Sequence, residues 1–166
     1  MKSLLTQLST YALYHRDKRN IYTHFVGIPM IVYALIILLS KPTVNMDVLT
    51  LNPALILVAI VCVYYLFLSL SLGLIMTVLM TAGLLAAAPI VALDTPVWLS
   101  WGVGLFIGGW LLQFIGHYFE GKKPAFVDDL MGLIIGPLFV VVELLFMCGM
   151  YQDLAKDIED IAGKSH

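Results

Sequence analysis

The longest apolar stretch of the chain, residues 53–93, reads PALILVAIVCVYYLFLSLSLGLIMTVLMTAGLLAAAPIVAL. It contains no Asp, Glu, Lys, Arg or His, and as a single helix its 41 residues would be about 60 Å long. Because a helix needs only about 20 residues to cross the ~30 Å hydrocarbon core of a bilayer, the stretch must fold back on itself. The segment Ser69–Gly73 favours a turn, which predicts two apolar helices, Pro53–Leu68 and Leu72–Leu93.

Apolar segments of comparable length lie on both sides of this stretch. His24–Ser40 precedes it, and Val97–Phe119 follows it. A polar loop, residues 120–129, then leads to a last apolar segment, Leu130–Tyr151. Each segment is about long enough for one membrane crossing, so the sequence predicts about five apolar helices.

The two ends of the chain are less apolar than its middle. Leu4, Leu8, Tyr11 and His15 would share one face of a helix, which predicts an N-terminal amphipathic helix at the membrane interface. The predicted fold class is all-α, a polytopic membrane helical bundle that forms a single integral membrane domain. This domain consists of the interfacial helix and first polar motif at residues 1–20, the spans at residues 24–151 and a polar tail at residues 152–166.

The composition supports a membrane protein. Hydrophobic residues make up 61% of the chain and charged residues 12%, whereas soluble domains are roughly half apolar and about a quarter charged. The formal net charge is −2, and without a basic stripe no nucleic-acid partner is predicted. Cys62 and Cys148 both lie in apolar runs, which is typical of small hydrophobic residues rather than of a disulfide or a metal clip.

Two short polar clusters interrupt the apolar chain. The first, His15–His24, precedes the first span, and the second, Gln113–Glu120, ends the fourth span. Four crossings return a chain to the side on which it started, so both clusters are predicted at the same membrane surface. The lysines and arginines in and beside them indicate that this surface is cytoplasmic.

The second cluster forms a polar stripe on an otherwise apolar helix. Gln113, His117 and Glu120 recur at steps of four and three residues, with Trp110 one turn earlier. His117 and Glu120 can therefore offer an imidazole nitrogen and a carboxylate oxygen to one ion. Alternatively, both are interfacial residues that reach lipid headgroups, and the stripe by itself does not decide between the two.

The first cluster adds two imidazoles. His15 and His24 would lie on opposite faces of one continuous helix, but a break at Asp17–Asn20 would let both point inward. Three imidazoles and a carboxylate suit iron(II), zinc or manganese, and a structural zinc site is disfavoured because no thiolate is nearby. Four histidines in the chain are too few for the repeated histidine boxes of a di-iron hydroxylase, so one metal ion is predicted. His166, in the tail, is left out of the site.

Glu143 lies in the middle of the fifth apolar segment. A carboxylate is costly in such a position and is a functional candidate for that reason. We favour a buried structural role, or a role behind a metal ligand, over direct metal binding.

Matching residues run in order along nearly the whole chain and resemble one known family. The first motif consists of Tyr14-His15, Asn20, His24 and Pro29, and the second of Gly109-Trp110, Gln113-Phe114-Ile115-Gly116-His117 and Glu120. The match continues through Lys123-Pro124-Ala125, Asp128, Leu130, Pro137, Glu143 and Phe146. On these residues the chain resembles the 2-hydroxy fatty acid dioxygenases, a family of small multi-span membrane proteins.

The resemblance implies a function and a set of ligands. The implied reaction is the Fe(II)-dependent oxidation of a 2-hydroxy fatty acid by molecular oxygen to the fatty acid one carbon shorter, with release of CO2 (fatty acid α-oxidation). The implied metal ligands are His15, His24 and His117, with Glu120 as a further candidate. Eukaryotic members act in the endoplasmic reticulum, where they help to turn phytosphingosine into odd-numbered fatty acids. The compact chain favours a bacterial inner membrane.

The chemistry of such a substrate assigns roles to the remaining polar residues. A 2-hydroxy acid can chelate a metal through its carboxylate and hydroxyl if the protein leaves positions open, and its alkyl tail would lie among the spans and membrane lipid. Asn20 and Gln113 are candidates for orienting metal ligands or substrate. Basic residues that could attract the carboxylate are Arg16, Arg19, Lys122 and Lys123.

Two other functions stay open at this point. One is a non-catalytic small membrane transporter or lipid-binding protein, in which the polar stripe lines a path and Glu143 lies within it. The other is a zinc-dependent lipid hydrolase that uses Glu120 as its general base. The oligomeric state does not follow from the sequence.

Overall fold

The structure, a computed structural model, describes residues 3–45 and 50–165 and is built of helices. The predicted all-α fold is therefore confirmed. His166 lies outside the described residues. The helices are α1 (Leu4–Ala12), α2 (Lys18–Ser40), α3 (Pro53–Leu68), α4 (Leu70–Val91), α5 (Thr95–Glu120), α6 (Met131–Met147) and α7 (Gln152–Ala162), with a 3-10 turn at Ala125–Val127. Two short antiparallel strands, β1 (Val44–Asn45) and β2 (Thr50–Leu51), pair between α2 and α3.

Five of these helices are apolar, as predicted, but they differ in length. α2, α4 and α5 are long and apolar enough to cross a membrane. α6 passes the same test only together with α7, and the two are bent by 117° at the break between them. α3 has 16 residues, fewer than the roughly 20 of an untilted span. Residues 3–45 and 50–165 thus contain three such helices, or four if the bent pair is one span.

The chain divides into two compact units. One unit consists of Met30–Gly109, and the other of Met1–Pro29 and Trp110–His166. α2 and α5 each contribute one part to each unit. The interpretation of the whole chain as one domain stays a prediction.

In the unit Met30–Gly109, the predicted turn between two apolar helices is confirmed. Ser69 has an extended backbone (φ −160°, ψ 124°), which ends α3, and its hydroxyl accepts a hydrogen bond from the backbone N–H of Leu72 in the first turn of α4. A Cβ on Gly73 would lie 2.6 Å from the backbone of Leu66. The two helices therefore approach each other closely because residue 73 lacks a side chain.

Side-chain donors bind neighbouring helices within the same unit. Tyr33 of α2 donates its hydroxyl to the carbonyl of Ala86 in α4, at 2.8 Å. Trp98 of α5 donates its indole N–H to the carbonyl of Ile37 in α2, at 2.9 Å. Hydrogen bonds of this kind stabilise helix pairs in apolar surroundings by about 0.6 kcal/mol on average.

In the other unit, α1 packs against α6 and α7. Ser3 caps the helix by accepting the N–H of Thr6, and Leu8 is fully buried. The ring of Tyr11, also buried, lies 4.9 Å from that of Phe139 in α6. The predicted N-terminal helix is therefore present, and the face predicted to be apolar is covered by protein.

Candidate metal centre

Three separate elements bring three histidines together. His15 lies in the short connection between α1 and α2, His24 lies one turn into α2 beyond Asn20, and His117 lies in the last turn of α5. One ring nitrogen from each lies within 4.8 Å of the other two. The side chains are 0%, 1% and 7% exposed, respectively. The expected break between His15 and His24 is present, but it ends at Asp17 because α2 already begins at Lys18.

The hydrogen bonds of two rings fix which nitrogen carries the proton. Nδ1 of His15 lies 2.7 Å from the carbonyl oxygen of Tyr11, and Nδ1 of His24 lies 2.9 Å from that of Asn20. Because a carbonyl oxygen can only accept, Nδ1 is the donor in both rings. Each Nε2 then presents a lone pair, and the two Nε2 atoms face each other at 3.1 Å.

Two lone pairs at this distance repel unless a cation lies between them. Burial, and secondarily the charge of a protonated His24, hold the pKa of His15 well below its usual value of 6.5, so a proton is a poor candidate for that cation. Two nitrogens bound at right angles to one ion at about 2.1 Å are about 3 Å apart. The spacing of the His15 and His24 nitrogens fits two ligands of one metal ion.

The ring of His117 lies close to the other two rings. The ring planes of His15, His24 and His117 are inclined to one another by 67° to 82°, and their centroids are 4.6–5.1 Å apart. Nδ1 of His117 is buried and has no hydrogen-bond partner. Three steeply inclined neutral imidazoles form a set of ligands that leaves positions for other molecules.

Glu120 lies beside these rings and is not among the atoms that converge. Its carboxylate accepts the backbone N–H groups of Arg16 at 3.0 Å and of Asp17 at 2.9 Å, and the side-chain amide of Asn20 at 3.0 Å. The N–H groups that precede a helix need acceptors, and a carboxylate is a favourable one. The contacts of Glu120, the predicted fourth ligand, are therefore hydrogen bonds. They link the end of α5 to the connection between α1 and α2, in which His15 lies.

Asn20 of α2 and Gly116 of α5 lie where the two helices approach each other closely beside the histidines. Asn20 is fully buried, and its amide also donates to the carbonyl of Tyr14 at 3.2 Å. A Cβ on Gly116 would overlap Asn20 Oδ1 and Thr23 Oγ1. Asn20 thus lies beside the histidines, and its carbonyl accepts the hydrogen bond from Nδ1 of His24.

Arg16 is buried, which differs from its predicted place at the rim of the site. Its Nε donates to the carbonyl of His15 at 3.0 Å and its Nη1 to that of Gly163, after α7, at 2.6 Å. Its Nη2 lies 4.0 Å from a carboxylate oxygen of Glu143. Three donor groups of Arg16 thus face protein groups, one of them Glu143, and its role in attracting substrate stays a prediction.

The other predicted basic residues lie on the surface near the connection. Arg19 forms an ion pair with Asp17 at 2.6 Å and lies over the ring of Phe119. Lys122 donates to the carbonyl of Leu13 at 2.8 Å, and Lys123 pairs with Asp128. All three are exposed and bound to protein groups.

Two features of the site were not found from the sequence. The ring of Tyr11 stacks on that of His15, with centroids 4.1 Å apart and planes inclined by 6°. The sequence predicts Tyr11 and His15 on one helical face, and this spacing of one turn is the signal that could have predicted the stacking. The second feature is the free amide of Gln113, which is buried and whose Nε2 has no partner.

The fold and the site together define a class, helical proteins with long apolar helices and a candidate three-histidine metal centre. The family described as "2-hydroxy-palmitic acid dioxygenase Mpo1-like" matches residues 1–148. The chain belongs to this family, and the resemblance stated from its motifs is confirmed. It is 28% identical over 158 residues to the 2-hydroxy-palmitic acid dioxygenase MPO1 of Saccharomyces cerevisiae, covering 94% of this chain and 87% of the yeast protein. No solved structure matches the chain.

Proposed function

We propose that the chain is an Fe(II)-dependent dioxygenase that converts a 2-hydroxy fatty acid to the fatty acid one carbon shorter with release of CO2. The observation that supports this most directly is the pair of Nε2 lone pairs at 3.1 Å in a buried set of three imidazoles. Membership of the dioxygenase family supports the substrate class. With O2 as oxidant the reaction balances, since one 2-hydroxy acid and one O2 give one shortened acid, one CO2 and one water.

His15, His24 and His117 would hold the iron. When bound, iron would supply the activation of oxygen and a binding position for the carboxylate and hydroxyl of the substrate. The carbonyls of Tyr11 and Asn20 keep the ligand nitrogens unprotonated by accepting the Nδ1 protons. The alkyl tail of the substrate would lie among apolar side chains. We further propose a multi-pass protein of a bacterial inner membrane, or of the endoplasmic reticulum if the source is eukaryotic.

The two alternative functions lose support in this geometry. A zinc hydrolase would need Glu120 as a free general base, but its oxygens accept hydrogen bonds from Arg16, Asp17 and Asn20. The transporter was favoured by the position of Glu143 within a span, but a carboxylate oxygen of Glu143 lies 4.0 Å from Nη2 of Arg16.

The test is metal analysis and turnover of protein purified anaerobically in detergent. We expect about one iron per chain, oxygen consumption only with a 2-hydroxy acid, and a product one carbon shorter by mass spectrometry. His117→Ala is expected to lose iron and turnover together, whereas the matched His166→Ala keeps both. Iron and turnover retained in His117→Ala would refute the site, and bound zinc without oxygen consumption would refute the dioxygenase.

A further inference from the structure

Gln113 lies on the same helix as His117, one of the three histidines. It lies on α5, one helical turn before His117 and on the same face of the helix, and it is 5% exposed. Since α5 ends at Glu120, Gln113 lies on the side of His117 that continues into the apolar helix. An uncharged amide in this position is costly to bury unless it is hydrogen-bonded.

The Nε2 atom of this amide has no such bond. Within residues 3–45 and 50–165, four buried side-chain polar atoms lack a partner, and one of them is Gln113 Nε2. Two of the other three are Asn20 Oδ1 and His117 Nδ1. Three of the four therefore belong to His117 or to residues one helical turn before His24 and His117. Buried donors without partners are rare in proteins, and a cluster of them indicates a group that the protein chain itself does not supply.

The chemistry of each atom indicates what this group is. A metal ion can use a nitrogen of His117, but it cannot use an amide N–H, which is a donor only. Gln113 therefore needs an oxygen acceptor near the metal ligands. The substrate of the proposed reaction carries such oxygens, in its carboxylate and its 2-hydroxyl group, and both would lie at the metal centre while the alkyl tail lies among the apolar helices.

We propose that Gln113 binds the polar head of the substrate, donating a hydrogen bond from Nε2 to a carboxylate or hydroxyl oxygen of the 2-hydroxy acid. This inference rests on the proposed function. It assigns Gln113 to substrate recognition and leaves the metal to the histidines.

The experiment measures ligand binding to zinc-loaded protein, in which no turnover obscures affinity. The ligands are 2-hydroxyhexadecanoate, hexadecanoate, which lacks the hydroxyl, and 1,2-hexadecanediol, which lacks the carboxylate. Gln113→Met keeps the length of the side chain and removes the donor. We expect it to weaken binding of 2-hydroxyhexadecanoate about 10- to 100-fold, the range for a lost hydrogen bond to a charged or polar partner.

The ligand series identifies the oxygen. If Gln113 binds the carboxylate, Gln113→Met weakens the binding of hexadecanoate as much as that of 2-hydroxyhexadecanoate and leaves the binding of the diol unchanged. If Gln113 binds the hydroxyl, the substitution weakens the binding of the diol and leaves that of hexadecanoate unchanged. Gln113→Glu replaces the donor by an anion, and it is expected to weaken the binding of the two acids more than Gln113→Met does. Gln152→Met, the same change in α7, is the control and is expected to bind all ligands like the unmodified protein.

Other outcomes overturn the proposal. Unchanged binding of 2-hydroxyhexadecanoate to Gln113→Met, an equal loss for all three ligands, or tighter binding to Gln113→Glu would each show that Gln113 does not donate to the polar head. Zinc content equal to that of the unmodified protein shows that the variants are folded. Failure of the proposed function would appear differently, as absent turnover in the unmodified iron protein.

Discussion

Helix α5 contacts α2 through a glycine near each of its ends, and the two contacts differ in what faces the glycine. At Gly102 the neighbour is the end of the Leu38 side chain. At Gly116 the neighbours are Thr23 Oγ1 and Asn20, including the Asn20 backbone at 3.3 Å. A leucine can rotate to make room, whereas Thr23 and Asn20 are fixed by hydrogen bonds. One end of the helix is thus adaptable and the other is rigid, and the rigid end carries His117.

The largest effect is expected from Gly116→Ala. The added methyl group overlaps Asn20 and Thr23, so α5 must move away from α2 and His117 from His24. We expect unfolding free energy to fall by about 1–3 kcal/mol or more, and metal affinity to fall at least about 10-fold, as for lost supporting contacts of metal ligands. Thermal denaturation and metal titration measure the two effects.

Gly104→Ala is the matched control for this substitution. A Cβ on Gly104 would meet nothing within 4 Å, and alanine is favoured over glycine in a helix by roughly 0.5–1 kcal/mol. We expect unchanged metal affinity and equal or slightly higher stability. Normal metal binding by Gly116→Ala would show that the Gly116 contact is no more rigid than the others.

The next effect is expected from Glu120→Gln. The substitution keeps the shape of the side chain but turns one acceptor oxygen into an amide donor, which faces the N–H groups of Arg16, Asp17 and Asn20. We expect metal affinity to fall about 10- to 100-fold. Asp94→Asn, a carboxylate-to-amide change on the exposed connection before α5, is expected to have no effect.

X-ray absorption at the metal edge separates this role from direct binding. If Glu120 only positions the connection that carries His15 and does not bind the metal, the atoms bound to the metal are the same in Glu120→Gln as in the unmodified protein. Loss of one oxygen scatterer in the variant would show that Glu120 is a ligand, as its spacing from His117 predicts, and would contradict the arrangement described above.

The apolar helices and one turn were predictable because local composition determines them. Residues 53–93 exceed one membrane crossing, and Ser69 is the first residue there with a side-chain acceptor that can cap a new helix. The start of α2 was placed a few residues too late. Asp17 accepts the N–H of Arg19 at 2.8 Å and thus caps the helix, a signal that the sequence contains.

The three histidines were predictable, but the roles of their charged neighbours were not. Imidazoles are conspicuous in an apolar chain, so composition together with position in the two polar clusters selects His15, His24 and His117 and leaves out His166 in the tail. The contacts of Glu120 and Arg16 depend on backbone groups distant in sequence, such as the carbonyl of Gly163. No spacing rule reports which backbone N–H or carbonyl a folded chain presents to a side chain. The spacing of Glu120 from His117 therefore could not reveal that its carboxylate accepts the backbone N–H groups of Arg16 and Asp17.

A smaller effect is expected from Gly102→Ala, the counterpart of Gly116→Ala at the adaptable end. The new methyl group displaces the end of the Leu38 side chain, which can adopt another rotamer. We expect unfolding free energy to fall by about 1 kcal/mol, the low end of the range for overpacking, with metal content unchanged. Loss of metal in this variant, measured by elemental analysis, would show that this end also controls the centre.

The smallest effect is expected from Trp98→Phe, which removes one hydrogen bond at the same end. The indole N–H donates to the carbonyl of Ile37 at 2.9 Å, and its loss is expected to cost about 0.6 kcal/mol in chemical denaturation. Trp101→Phe, at an exposed tryptophan on the same helix, is the control and is expected to cost less. Because the bond holds α2 beside α5 far from the histidines in sequence, metal affinity should not change. A large loss of metal affinity in Trp98→Phe would mean that the two ends of α5 act together, and the contrast between an adaptable and a rigid end would then be wrong.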